Sequence, residues 1–188
     1  MNLFQTYHNK IIKNDLLNKF KINSSKSIPK LKKITITFGC THFLPIQKFA
    51  TTLLAIEMIC LKKGEVSFAK KALISTGTQK GQPTGCLVTL EKKKIFQFLT
   101  RLNLEIIPKL KNFSELKLNV TKSKFSFTIP GNSLELLELQ DLYPLFAKLP
   151  DVNIHIDLTN SLEKKKCTFI AKSIKIPALI KVDKWSSG

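Results

Sequence analysis

Arginine is almost missing from this chain. Of its 31 basic residues all but Arg101 are lysines, and only 13 residues are acidic, which leaves a net charge of +18. Lysine gives phosphates a point charge, whereas bidentate recognition of bases and phosphates calls for arginine. The same bias, together with abundant Asn, Ile and Phe, is what an AT-rich genome encodes. The four cysteines, Cys40, Cys60, Cys86 and Cys167, form no CxxC pair. That argues against a disulfide framework or a zinc site and for small buried thiols in a reducing compartment. His8, His42 and His155 have no metal-ligand spacing, so neither metal nor cofactor is expected. No apolar run reaches the roughly 18 residues of a membrane span, and no helix is basic on one side and aromatic on the other. The N-terminal stretch lacks a secretory apolar core and a Ser/Arg-rich import pattern. Glu57, Glu65, Glu91 and Glu105 are scattered, and no His, Asp, Glu or Cys cluster supports catalysis.

What is present points to a polyanion. A pI near 9.9 without a membrane element favours nucleic acid. The 188 residues suit one domain with its own core. The most informative segment is Ala69 to Leu90, AKKALISTGTQKGQPTGCLVTL. Gly77, Gly81, Pro83 and Gly85 forbid a helix there and permit a long, bent loop, with few apolar anchors between Ile74 and Val88. Ser75 to Gly85 is therefore expected to be mobile in the isolated protein. Its charges are all positive. A nucleotide-cradling loop is a poor reading, because no Gly-Lys-Ser/Thr follows and the segment leads into a strand.

Periodicity divides the rest. Leu3, Tyr7, Ile11, Leu17 and Phe20 predict an amphipathic helix, and Ile34-Thr35-Ile36-Thr37 a half-buried strand ending at Gly39. Pro45 opens a helix through Ile46, Phe49, Leu53, Ile56 and Ile59, with Gly64 closing it. A short strand near Val66 precedes the loop, and Cys86 to Leu90 is a strand with Cys86, Val88 and Leu90 inward. A helix from about Lys92 to Pro108 turns Ile95, Leu99, Leu102 and Ile106 to one side. Phe125 to Ile129 and Val152 to Leu158 alternate as strands. Leu134 to Leu149 is a broken helix or loop, and Asn160 or Ser161 caps a last helix ending near Ile174. The fold class is α+β: one antiparallel or mixed sheet with helices on one face, an RRM-like or ferredoxin-like sandwich with a long extended loop. Residues 1–178 form one domain and 179–188 a tail. The uncovered face carries Thr35, Thr37, Thr89, Lys124, Ser126, Thr128, Asn153 and His155. It lacks the stacking aromatics of an RNA-recognition motif and suits a folded RNA helix met through phosphates and 2′-hydroxyls. With the lysines Lys10, Lys13, Lys19, Lys30, Lys32 and Lys33, that face is expected to bind folded RNA.

Two blocks carry a resemblance. Ile28-Pro29-Lys30-Leu31-Lys32-Lys33-Ile34-Thr35-Ile36-Thr37-Phe38-Gly39 resembles the first-strand signature of the universal large-subunit ribosomal protein five family. Gly81-Gln82-Pro83-Thr84-Gly85-Cys86-Leu87-Val88-Thr89-Leu90 is similar to that family's Gly-x-Pro-x-Gly-Cys-x-Val-Thr-Leu. Phe96 to Phe113 continues the likeness, which covers about residues 3 to 178. The chain departs from the family at Cys40-Thr41-His42, at Thr37 in place of an asparagine and at Lys62 in place of a glutamine. The segment around Leu134 to Leu149 is divergent.

The resemblance implies a structural protein of the large ribosomal subunit, bound to 5S and large-subunit rRNA in the central protuberance. It implies rRNA contacts at Lys33, Thr37, Lys62 and Thr89, and with the neighbouring outward residues the candidate set is Lys30, Lys32, Lys33, Thr35, Thr37, Lys62 and Thr89. It implies that a loop carrying Lys70, Lys71, Gln79, Lys80 and Gly81 reaches peptidyl-site tRNA. Further partners would be other central-protuberance proteins and the small-subunit head across an intersubunit bridge. Lysine bias and the absent import signal suggest an organellar ribosome, mitochondrial rather than plastid, with a bacterial-type cytoplasm as the alternative. The competing functional reading is a free-standing regulatory RNA-binding module.

Overall fold

The computed structural model describes residues 3–22, 27–39, 46–72, 77–110, 116–131, 146, 149–159, 163–176 and 179–180. Its helices are α1 (residues 3–20), α2 (Ile46–Cys60), α3 (residues 93–109) and α4 (Lys164–Ser173). The strands are β1 (Lys30–Gly39), β2 (Glu65–Phe68), β3 (Pro83–Glu91), β4 (Lys117–Val120), β5 (Lys124–Ile129), β6 (Val152–Thr159) and β7 (Leu179–Ile180). They form one seven-stranded sheet in the order β2-β3-β1-β6-β5-β4-β7. Every pairing is antiparallel except the short parallel contact of β7 with β4. The α+β sandwich is as expected, and the sheet is wider than the four strands of an RNA-recognition motif.

Strand alternation builds the core. Ile34, Ile36 and Phe38 of β1 are buried, as are Cys86, Val88 and Leu90 of β3 and Val152, Ile154, Ile156 and Leu158 of β6. Phe125, Phe127 and Ile129 extend the same layer. Each such side chain contributes roughly 1.5–3 kcal/mol by leaving water. Helices α2 and α3 lie on β1 and β3, and α4 lies on β4 and β5. Helix α1 packs instead on α3 and α4: His8 meets the Phe96 ring edge-on at 5.5 Å, and Phe20 meets Phe169 at 5.8 Å.

The helix faces differ in part from the periodicity. In α1 the buried positions are Phe4, His8, Ile12 and Leu16, while Leu3 and Ile11 are exposed. A spacing of four drifts around an ideal α-helix, and the wider π-turn His8–Ile12 takes up that drift. His8 occupies a core position that an apolar count passes over. A second π-turn, Leu102–Ile106, interrupts α3, whose Ile95, Leu99, Leu102 and Ile106 are buried as expected. Helix α4 starts at Lys164, after an extended Glu163 that makes no side-chain cap bond. Asn160, Ser161 and nearly all of Leu134–Leu149 lie outside the described residues. The sole arginine serves the fold. Arg101 Nη1 donates to the carbonyls of Met58 and Ile59 at 2.9 and 3.1 Å, closing the end of α2, while its Nε pairs with Glu105 at 2.8 Å.

Strand β3 begins at Pro83, so Pro83, Thr84 and Gly85 belong to the sheet and not to the free loop. Pro83 needs no ladder donor at a strand's first residue. Gly85 is required by approach: a Cβ there would collide with the Phe38 carbonyl of β1. Gly85→Ala therefore lowers stability by about 1–3 kcal/mol in urea denaturation. Gly39→Ala, whose Cβ would meet only Asn153 Nδ2 at 4.0 Å, serves as the near-neutral control.

Burial holds the His8 imidazole below its ordinary pKa, against a weaker opposing bond from Asn9. The unfolded chain then takes up the proton more readily. Stability is full above the unfolded value of about 6.5 and falls as pH drops below it. Denaturation midpoints between pH 7 and pH 5 check this, and His8→Gln flattens that part of the profile.

Candidate nucleic-acid interface

The face of the sheet away from the helices is ordered into rows by the register. Glu91, Lys33, Asp157 and Lys124 stand side by side across β3, β1, β6 and β5. Next come Thr89, Thr35, His155 and Ser126, and then Leu87, Thr37, Asn153 and Thr128. The expected outward set is thus brought onto one surface. Glu91 and Asp157 join it, two residues beyond Thr89 and His155, where parity alone places them. Their effect is electrostatic. Lys33 Nζ lies 3.7 Å from Asp157 Oδ2, and the charged row alternates in sign, so this face is close to neutral.

Its polar groups are fixed by one another. Thr128 Oγ1 donates to Asn153 Oδ1 at 2.7 Å. That bond occupies the amide oxygen and leaves the Asn153 NH2 to donate elsewhere. Thr37 Oγ1 donates to the Asn153 carbonyl at 3.5 Å. Lys62, just past α2, donates from Nζ to the Thr89 carbonyl at 2.6 Å, where the short β2 has not yet begun to cover β3. Lys62 is therefore a strand-end cap whose remaining donors border the face.

The lysines at the start of β1 are arranged by a β-bulge. Lys30 pairs with Thr159 and Leu31 with Leu158, then the register shifts so that Lys33 pairs with Asp157. Lys32 is the extra residue, and the bulge keeps Lys30 and Lys33 on the open face together. The expected combination with Lys10, Lys13 and Lys19 is not one surface. Those three sit on α1, beyond α3 and α4 from the sheet.

The loop leaves the sheet past the Gly39–Gly85 pair, about 20 Å along β1 from Lys33. Ala69 and Gln82 extend the β2–β3 hairpin: Ala69 N donates to Gln82 O at 2.8 Å and Gly81 N to Ala69 O at 2.9 Å. Gln79 N donates to Gln82 Oε1 at 2.8 Å, and Gly77 and Gly81 take positive φ of 64° and 86°. Lys70, Lys71, Gln79, Lys80 and Gly81 are all exposed beyond this base, and residues 73–76 lie outside the described residues. Phe68, 60% exposed, also stands at the hairpin base. Its only signal in the sequence is an aromatic closing a four-residue edge strand.

Comparison with known proteins agrees with this architecture. No family profile matches the chain. Large ribosomal subunit protein uL5 of Blochmanniella floridana is 27% identical over 172 residues, 91% of this chain and 90% of the relative. The mitochondrial uL5m of Reclinomonas americana is 27% identical over 180 residues, 94% of this chain and 98% of its own. The uL5 of Nitrosomonas eutropha is 32% identical over 112 residues, 59% of this chain and 62% of its own. With both sequence blocks placed on the sheet and the likeness running through most of the chain, the protein is similar to the uL5 proteins of the large ribosomal subunit.

Proposed function

We propose that this protein is a structural constituent of the large ribosomal subunit that binds 5S rRNA in the central protuberance through its open sheet face. The role is structural, not enzymatic. The observation that carries it is the middle of that face: Thr89, Thr35, His155 and Ser126 beside Thr37, Asn153 and Thr128, with no Phe, Tyr or Trp in these rows. Hydroxyls and an oriented amide suit the 2′-hydroxyls and phosphates of an RNA minor groove, which shape rather than base stacking identifies. Lys30, Lys32 and Lys33 at one end, with Lys62 at the β3 edge, supply the phosphate contacts. The loop at the other end carries Lys70, Lys71, Gln79, Lys80 and Gly81 toward peptidyl-site tRNA. Residues 1–178 act as one rRNA-binding domain, and of the expected tail 179–188 Leu179 and Ile180 join its sheet as β7. Neighbouring central-protuberance proteins and the small-subunit head complete its surroundings. The full-length likeness to a uL5m and the lysine-rich composition favour a mitochondrial ribosome.

Co-sedimentation of the native protein with large subunits through a high-salt wash tests this directly. Recovery only in free fractions would identify a regulatory RNA-binding module instead. Replacing Thr37 and Thr89 together by valine should weaken 5S rRNA binding more than binding to a random duplex. Equal losses would make both threonines bystanders.

The loop separates stability from function. Lys71→Ala with Lys80→Ala removes two exposed charges outside the core, so stability shifts by no more than about 0.5 kcal/mol for each. Subunit assembly survives, while peptidyl-site tRNA occupancy falls, because each lysine–phosphate pair supplies attraction irrespective of RNA sequence. The affinity deficit is larger at the lower of two salt concentrations, because the variant neutralises fewer phosphates and loses less affinity as salt rises. Normal occupancy on assembled mutant ribosomes at both would rule the loop out.

A further inference from the structure

We propose that the outer edge of β2, together with the outward side of α2, is a docking site for a protein partner. An extended segment of that partner adds to β2 as a further strand and rests apolar side chains on Leu54 and Leu61. The helix supplies the first observation. Of the described residues from Phe49 to Leu61, the exposed ones are Ala50, Leu54 and Leu61. At about 100° per residue these three fall within about 40° of one line along the helix. Leu61 keeps that line, because its N–H still donates to the Glu57 carbonyl at 2.8 Å. Leu54 and Leu61 are 42% and 75% exposed. The other helices turn lysines to water: Lys10 and Lys13 on α1, Lys93 and Lys94 on α3, Lys164 and Lys165 on α4. In a chain of net charge +18, the outward line of α2 is apolar.

The strand edge beside that line selects the occupant. β2 ends the sheet, and among the described residues no strand lies beyond it. It runs back alongside α2: Gly64 N donates to Glu57 Oε1 at 2.7 Å, and Val66 pairs with Cys86, whose Sγ lies 3.7 Å from Thr52 Oγ1. Ala69 N donates to Gln82 O at 2.8 Å and Ala69 O accepts from Gly81 N at 2.9 Å, so both its backbone groups turn toward β3. The Ser67 carbonyl also turns that way, accepting from Thr84 Oγ1 at 3.2 Å. Successive strand residues aim their backbone groups at opposite edges, so those of Val66 and Phe68 point outward. A row that mixes N–H donors with C=O acceptors is matched by another polypeptide strand. Phosphates only accept, and a bilayer would bury these groups unpaired. A second copy brings another +18 of like charge, which opposes close approach. Phe68, 60% exposed, offers the added strand an aromatic neighbour. The site lies apart from the Thr37 and Thr89 rows, so it stands whichever RNA the open face takes.

The test begins with native complexes of the full chain, treated with an amine-to-diazirine crosslinker. Lys63, exposed between Leu61 and β2, should be joined to one stretch of one other protein. That stretch, made as a synthetic peptide, is then added to the recombinant full chain. The backbone amides of Val66 and Phe68, fast in the free chain, should exchange slower by about tenfold or more with peptide bound. Phe68→Pro removes an outward N–H that β3 does not use, so the urea midpoint should hold while peptide binding is lost. Leu54→Lys with Leu61→Lys leaves the strand untouched and should weaken the peptide by about tenfold or more. Should the proline variant unfold, the lysine pair decides. Lys63 joined only to RNA or lipid, or to nothing beyond this chain's own sequence in one copy or two, would overturn the proposal. So would a peptide that fails to bind, that binds without slowing those two amides, or that binds the lysine pair unchanged.

Discussion

Everything on the open face depends on β1 being held in register between β3 and β6. The side-chain period of a strand is two, so a slip by one residue would turn Thr35 and Thr37 into the core and drive Ile34, Ile36 and Phe38 into water. Two devices fix that register. Gly85 lets β3 approach the Phe38 carbonyl more closely than any side chain would allow. The bulge at Lys32 lets β1 continue past the point where its pairing with β6 would otherwise put Lys30 on the wrong face. One device is a missing Cβ and the other an extra residue, and together they set which groups the solvent side presents.

The sheet face and the charge of the chain are separate resources. A net charge of +18 suggests a uniformly basic object, yet the central rows of the face hold hydroxyls, an amide and an imidazole beside a charge-alternating row. Phosphate contacts supply affinity and orientation without reading what is bound. Groups held by one another, as Thr128 holds Asn153, resist rearrangement and so favour a surface of matching shape. Lysines stand at the margins of the sheet, in the loop and on α1 and α4. Affinity and selectivity are accordingly assigned to different side chains.

Much of this is legible in the sequence because alternation and helical spacing are direct consequences of burial. The strands β1, β3, β5 and β6 and the inward side of α3 follow from them. What escapes has particular causes. Strand β4, Lys117–Val120, is four residues long and too short to show a period. The π-turn inside α1 changes its spacing, so Leu3 and Ile11 fit an apolar stripe yet face water, while the polar His8 is core. Pro83 and Gly85 resemble loop residues because both are turn formers, although one opens a strand and the other serves close packing. Parity locates the open face, but not its neutrality, since a list of threonines omits the carboxylates between them.

Arg101 shows how tightly composition and structure are linked here. Its Nη1 bridges two carbonyls at the end of α2 while Nε holds Glu105, a forked pattern that an ammonium cannot reproduce. The phosphate contacts proposed for the loop and sheet-edge lysines require only a point charge on a flexible stem. A chain drifting toward lysine can therefore lose arginine from its nucleic-acid surfaces with little effect, yet must retain it where the fold needs a rigid, multidentate donor. The single arginine thus marks a structural position, whereas the exposed lysines carry charge that no part of the fold requires to be forked.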